Sequence, residues 1–231
     1  MDFLEGEIIY IDKPLHWTSF RVVRVLRAKL CQKLKIKKLK VGHAGTLDPL
    51  ATGVMILCTG KKTKQIERLQ AETKEYIAQV MLGATTPSFD LETAIDAEYP
   101  TAHITKELVE EVLQQFIGTI EQVPPLFSAV KIEGRRAYDF ARKNEDVELK
   151  PKLLVIDHIE LISYNLPYVT IRVVCSKGTY IRALARDIGE ALHSGAHLTG
   201  LTRTRVGEAT IDKCLKMEEI DQFLEENMTT I

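Results

Sequence analysis

The chain has 231 residues, 45% apolar and 27% charged, the composition of a globular protein rather than a disordered or fibrous one. Its longest strictly apolar run, residues 54–58, is too short to cross a bilayer, its start is acidic where an export signal is basic, and its four cysteines (Cys31, Cys58, Cys175, Cys214) include no Cys-x-x-Cys pair. Reduced thiols and a cytoplasmic location are expected, and a zinc knuckle is excluded. The net charge of -1 hides a segregation: residues 13–64 hold thirteen basic residues and a single acid, Asp48, and the rest of the chain is acidic in excess. Residues 21–40 alone carry nine basic residues and no acid. Like charges at that density repel, which points to a polyanionic partner, RNA or DNA, or else to a solvated basic face.

The hydrophobic pattern predicts a mixture of strands and helices. Residues 7–11 read as a strand. Thr18 and Ser19 are candidate caps for a helix carrying Val22, Val23, Leu26 and Leu30 at helical spacing. Residues 41–52 are rich in Gly, Pro and polar side chains and predict a loop, followed by a buried strand over 54–58 that Gly60 halts. Residues 74–82 alternate as a strand, residues 88–100 are irregular, and Leu108, Val109, Val112, Leu113 and Phe116 define an amphipathic helix closed by Gly118. Pro124-Pro125 breaks the chain before a strand ending at Ile132 and a short helix running to Lys143. Residues 153–162 and 168–175 read as a hairpin, 179–192 as a helix, 203–209 as a strand and 217–224 as an acidic terminal helix. The repeating βαβ alternation of a dinucleotide-binding fold is missing, and no break in composition divides the chain, which predicts a single α+β domain.

Several familiar sites fail on inspection. Gly60-Lys61-Lys62-Thr63 lacks the leading glycine of a phosphate loop, because Met55 stands there. His193 and His197 stand four apart, but Gly195 lies between them and no glutamate follows His193, so exposed turn residues are expected rather than metal ligands. No serine-hydrolase elbow and no pair of glycosidase carboxylates is visible. Asp48 remains, in Gly42-His43-Ala44-Gly45-Thr46-Leu47-Asp48-Pro49-Leu50-Ala51-Thr52-Gly53. A carboxylate amid positive charge repels the polyanion that the surrounding residues attract. It is explained by chemistry, by pairing with an arginine, or by the ordinary turn role of an Asp before Pro.

This segment resembles the catalytic motif of the TruB family of tRNA pseudouridine synthases. Asp12-Lys13-Pro14 with Thr18-Ser19 resembles the family's first motif, and Lys74-x-Tyr76 its tyrosine strand. Val123-Pro124-Pro125, Ser128-Ala129-x-Lys131, Gly134, Tyr138 and Ala141-Arg142 resemble another block. The segments Cys175-Ser176-Lys177-Gly178-Thr179-Tyr180-Ile181-Arg182 and Leu201-x-Arg203-Thr204-Arg205-Val206-Gly207 resemble the last two. The blocks stand in family order over nearly the whole chain.

The resemblance implies a mixed, largely antiparallel sheet flanked by helices and loops, the pseudouridine synthase fold. It implies one catalytic domain over residues 1–231 with an RNA-binding insertion around 120–150 and no separate C-terminal PUA-like domain. The activity implied is isomerisation of uridine 55 in the T-loop of tRNA, after the base is flipped, with no cofactor and no metal. The alternative is a non-catalytic RNA-binding or tRNA-folding protein on the same scaffold. Asp48 is the implied catalytic carboxylate, acting by attack or by charge stabilisation. Tyr76 is the floor for the flipped base and Arg182 the partner of the carboxylate. His43, Lys13, Leu201, Lys177, Tyr180, Arg203 and Lys131 are the implied RNA-contacting residues. The partner is the T-arm of tRNA, with no membrane and no obligate protein partner, and a monomer is expected. Two departures stand out: His16 occupies a position where the family usually has glycine, and residues 85–90 follow the family pattern only in part.

Overall fold

The computed structural model describes residues 1–128, 131, 132, 135–137, 140 and 149–227. In chain order the strands and α-helices are β1 (Ile8–Lys13), α1 (Ser19–Lys33), β2 (Val41–His43), β3 (Ala51–Thr59), α2 (Ile66–Ala71), β4 (Lys74–Leu82), β5 (Ala84–Thr85), β6 (Ala97–Glu98), α3 (Lys106–Gln114) and β7 (Gly118–Gln122). There follow β8 (Lys131–Ile132), β9 (Arg135–Arg136), β10 (Lys152–Asn165), β11 (Tyr168–Cys175), α4 (Ile181–Ala191), β12 (Ala196–Val206), β13 (Ala209–Thr210) and α5 (Ile220–Asn227). The content is α+β with mostly antiparallel pairing, as expected.

The chain forms two compact units, Met1–Tyr76 with Leu201–Ile231, and Ile77–Gly200. The boundaries fall inside β4 and β12, so no linker exists for composition to reveal.

In the first unit β3 is the centre. β1 runs antiparallel along one edge, from Ile8 opposite Cys58 to Lys13 opposite Gly53. The other edge is shared by β2, antiparallel with His43 opposite Leu57, and β12, parallel with Leu201 opposite Ala51 and Arg203 opposite Gly53. β3 is buried on both faces and therefore reads as an apolar run. One face is covered by α1. Thr18 caps it, its hydroxyl oxygen accepting from the Arg21 amide at 3.1 Å, and Val22, Val23, Leu26 and Leu30 pack on Ile9, Ile11, Met55 and Leu57. The terminal helix α5 joins the same cluster through Ile220 and Leu224. Its acids meet the basic helix: Lys29 lies 2.5 Å from Asp221 and Lys33 2.7 Å from Glu225.

The second unit pairs β10 antiparallel with both β11 and β7. Helix α4 buries Ile181, Ala183, Leu184, Ala185 and Ile188. Part of the insertion expected around 120–150, including Gly134, Tyr138, Ala141 and Arg142, lies outside the described residues. Within it, the Arg135 guanidinium sits 4.0 Å over the Phe140 ring.

The loop expected over 41–52 is shorter than its composition suggests. β2 occupies 41–43 and β3 begins at 51, leaving a loop of 44–50. His193 is exposed in a turn as expected, but His197 is 1% exposed on β12, its Nδ1 2.9 Å from the Ala84 carbonyl oxygen. That correction reflects β12 starting at Ala196, seven residues before the strand predicted at 203. Among the described residues no cluster of metal-ligating side chains and no helix able to cross a membrane is found.

Candidate active site

The loop 44–50 leaves the edge of β3 between β2 and β12 and is held from three sides. The buried Ser19 hydroxyl both donates to the Leu47 carbonyl and accepts from the Leu47 amide, each at 2.9 Å. The His16 amide donates to the Pro49 carbonyl at 2.8 Å. Beneath the loop lies Arg203, 1% exposed, donating from Nε to the Val54 carbonyl at 2.7 Å and from its terminal nitrogens to the Gly45 carbonyl at 3.2 Å and the Thr46 carbonyl at 3.5 Å. Asp48 closes a turn, its carbonyl accepting from the Ala51 amide at 3.1 Å. Its half-buried carboxylate therefore projects from a backbone fixed on both sides.

Gly53 makes this approach possible. Its φ is +104°, and a Cβ there would lie 2.2 Å from the Arg203 carbonyl oxygen, so only glycine lets β12 close on β3 behind the loop. His16 has φ +64°, the left-handed conformation that glycine adopts freely. The turn after Pro14 thus keeps the glycine-type geometry with a histidine in it.

Lys13, at the end of β1, is fully buried. Its Nζ donates to the Pro14 carbonyl at 3.0 Å and the Trp17 carbonyl at 2.7 Å. Burial pushes its pKa down to about 8, with the charge of Asp48 opposing that fall and Arg203 adding to it. Lys13 and Arg203 were expected at the RNA. In this structure both are buried and donate to backbone carbonyls, Arg203 to those of the loop and Lys13 to those of the turn after β1. The depressed pKa fixes a sign. Below pH 8 the ammonium is charged in both states and its burial opposes folding. Between about 8 and 10.5 the folded protein has released a proton that the unfolded chain still holds, so stability rises with pH. Relative to Lys13→Met, the wild-type unfolding free energy should climb by about 3 kcal/mol across that window in denaturant titrations. Parallel pH profiles for the two proteins would remove Lys13 as the source.

His43 ends β2, half-buried, with a buried Nδ1 that has no hydrogen-bond partner. Burial pushes its pKa down, Gly45 opposing and Arg203 reinforcing the effect, so the ring is neutral at pH 7. Leu201 is half-buried opposite Ala51, and Thr202 and Thr52 share a hydroxyl hydrogen bond of 2.9 Å. Tyr76, on β4, is 8% exposed. Asp48, Lys13, Arg203, His43, Leu201 and Tyr76 all belong to the first unit.

The remaining candidates belong to the second unit. Arg182, in the first turn of α4, is 5% exposed. It faces Asp90, Nε to Oδ2 at 3.6 Å, and donates to the Ser88 carbonyl at 3.2 Å and the Phe127 carbonyl at 3.0 Å. Residues 85–93, which follow the family pattern only in part, form a compact support for this guanidinium. Thr86 and Ser88 are buried and their hydroxyls donate to the Asp90 carbonyl at 2.7 and 3.3 Å. Sequence reasoning missed Asp90 and Ser88 because nothing local links residue 90 to residue 182. Tyr180 caps α4, its amide donating to Gln122 Oε1 at 2.9 Å, and Lys177 is exposed in the preceding turn. Lys131 lies on β8, and only its backbone is described.

Residues 32–181 match the model of the TruB family pseudouridylate synthase N-terminal domain, and residues 182–230 that of the tRNA pseudouridylate synthase B C-terminal domain. The chain is 68% identical over 231 residues to a tRNA pseudouridine synthase B of Parabacteroides distasonis, covering 100% of this chain and 98% of that one. Against the protein of the same name from Flavobacterium johnsoniae the identity is 48% over 225 residues, covering 97% and 98% of the two chains. Among solved structures, a chain of a Cbf5-Nop10-Gar1 complex superposes with a TM-score of 0.71 at 28% identity, covering 98% of this chain and 58% of that one.

Proposed function

Because the chain belongs to the TruB family of pseudouridylate synthases, we propose that it isomerises uridine 55 in the T-loop of tRNA to pseudouridine, in the cytoplasm and as a monomer. The reaction breaks the bond between C1′ and N1, turns the base, and joins C1′ to C5; the C5 proton departs and N1 takes one up, so the product is an isomer. Nothing is oxidised or hydrolysed.

The observation that carries this reading is the single acid of the basic segment, Asp48, on a loop fixed by Ser19, His16 and Arg203. A rigid backbone would spare the carboxylate an entropy cost at the moment of reaction, which supports its assignment to the flipped uridine. Tyr76 serves as the floor for the base. Arg182, fixed by Asp90, Ser88 and Phe127, is the arginine that the family resemblance assigns to the catalytic set. His43, neutral at pH 7, enters the stack that the flipped base has left without bringing a charge into it. Leu201 forms an apolar wall, and Lys177, Tyr180 and Lys131 contact the RNA.

Incubation with an unmodified tRNA transcript, followed by chemical mapping of pseudouridine, tests the reading. One modified uridine in the T-loop is expected. Tight binding with no product would make the protein a non-catalytic RNA binder.

The exposed lysines that follow α1 carry part of the electrostatic affinity. Replacing Lys35, Lys37 and Lys38 by glutamine should flatten the slope of log Kd against log salt by about 0.7 to 0.9 for each phosphate that the variant no longer neutralises. An unchanged slope would make this stretch a solvated face.

A further inference from the structure

α1 begins on a surface that the fold has no use for. Phe20 is 64% exposed and Leu15 is 48% exposed, flanking the turn that carries His16. A large aromatic placed in water at the first turn of a helix gains nothing from burial. Arg24 and Arg27 follow Phe20 at helical spacing on the same side, and among the described residues neither makes an ion pair. Arg21 stands beside them with its guanidinium 3.9 Å over the Trp17 ring, which fixes its direction. Lys29 and Lys33, further along the same helix, are instead met by Asp221 and Glu225 of α5. The acidic helix thus neutralises the far end of α1 and leaves the end nearest the loop positive. The first turn of a helix is also where a basic residue is least favoured by the helix dipole, so Arg21 needs a reason outside the helix.

This surface is tied rigidly to the candidate nucleophile. Ser19, the residue before Phe20, holds Leu47, the residue before Asp48, through both of its backbone groups. An RNA whose uridine reaches Asp48 must pass close to Phe20.

We propose that Phe20 is a stacking platform for an unpaired base of the RNA next to the flipped uridine, with Arg21, Arg24 and Arg27 holding the adjoining phosphates. The inference rests on the RNA-modifying function proposed above. An aromatic face accepts any base, and arginines along one edge suit a strand whose phosphates run beside it. No acid lies between Asp12 and Asp48 to repel that strand.

The test compares wild type, Phe20→Ala and Phe20→Trp on an unmodified T-arm stem-loop RNA. It measures Kd at several salt concentrations, the single-turnover rate at saturating RNA, and the melting temperature. Phe20→Ala should weaken binding about tenfold, ~1.4 kcal/mol, with an unchanged salt slope, an unchanged saturating rate and an unchanged melting temperature. Phe20→Trp should restore the affinity. Arg24→Gln should lower the salt slope while leaving the saturating rate intact. A Phe20→Ala protein that binds as tightly as wild type overturns the proposal and leaves the face to a protein partner. A loss of saturating rate or of melting temperature that tryptophan does not restore also overturns it, since Phe20 would then be structural. Failure of the wild-type protein itself to form pseudouridine would strike the functional reading instead, and the two failures are told apart in the same experiment.

Discussion

Asp48→Asn is expected to abolish pseudouridine formation while leaving RNA binding within about twofold of wild type. The amide has the shape of the carboxylate and lacks its charge and its nucleophilicity. Loss of a covalent or charge-stabilising catalyst should lower the single-turnover rate by nearly four powers of ten, about 5 kcal/mol. The loop backbone should keep its place. The loop is held through backbone atoms of Gly45, Thr46, Leu47 and Pro49, and none of these contacts uses the Asp48 side chain. A variant that kept a tenth of the wild-type rate on saturating tRNA would remove Asp48 from the chemistry. Binding that tightened slightly would fit the removal of a negative charge facing phosphates.

Arg182→Met should lower both activity and stability, and the two losses separate in a second variant. The guanidinium is buried against Asp90, whose side chain is 8% exposed, and it satisfies the Ser88 and Phe127 carbonyls. Removing it leaves a buried carboxylate without a counter-charge and two carbonyls without this donor, a cost of about 3 kcal/mol in unfolding free energy. Adding Asp90→Asn to Arg182→Met takes away the unpaired charge and should recover part of that stability. Activity should stay down by at least a hundredfold in both, because the arginine proposed for the catalytic set is gone. Arg182→Lys should recover little, since one ammonium cannot reach a carboxylate and two carbonyls in the directions that a planar guanidinium covers. Recovery of activity together with stability in the double variant would make Arg182 purely structural.

The sequence was informative wherever the signal was local. β4 and β11 fall where alternation places them, and α1 starts at the Ser19 that Thr18 caps. Helix α3 falls within two residues of its apolar stripe at each end. β2 escaped because three residues, Val41–His43, are too few to show a period. The first half of β12 escaped because His197 and Gly200 obscure it, and the strand is made by neighbours distant in sequence: Leu201 opposite Ala51 and Arg203 opposite Gly53. The two units were invisible because both crossings lie within strands.

The residue types and their order determined by themselves that a lone acid stands in a basic segment, that its loop is shaped by glycine and proline, and that the motifs are those of one family. These are properties of short stretches of chain, and steric and charge rules act on them without reference to the rest. Only the tertiary structure decided what each charged group touches. It buried Lys13 and Arg203 and gave both backbone carbonyls as hydrogen-bond partners. It gave Arg182 the carboxylate of Asp90, ninety-two positions earlier in the chain. It set the acids of α5 against the far half of α1 and left Phe20 in solvent beside the loop. The reason is physical: a charge finds its partner, or is stripped of water, through neighbours that are distant in the chain in some cases and adjacent in others, and no local pattern encodes which of them the fold will bring together.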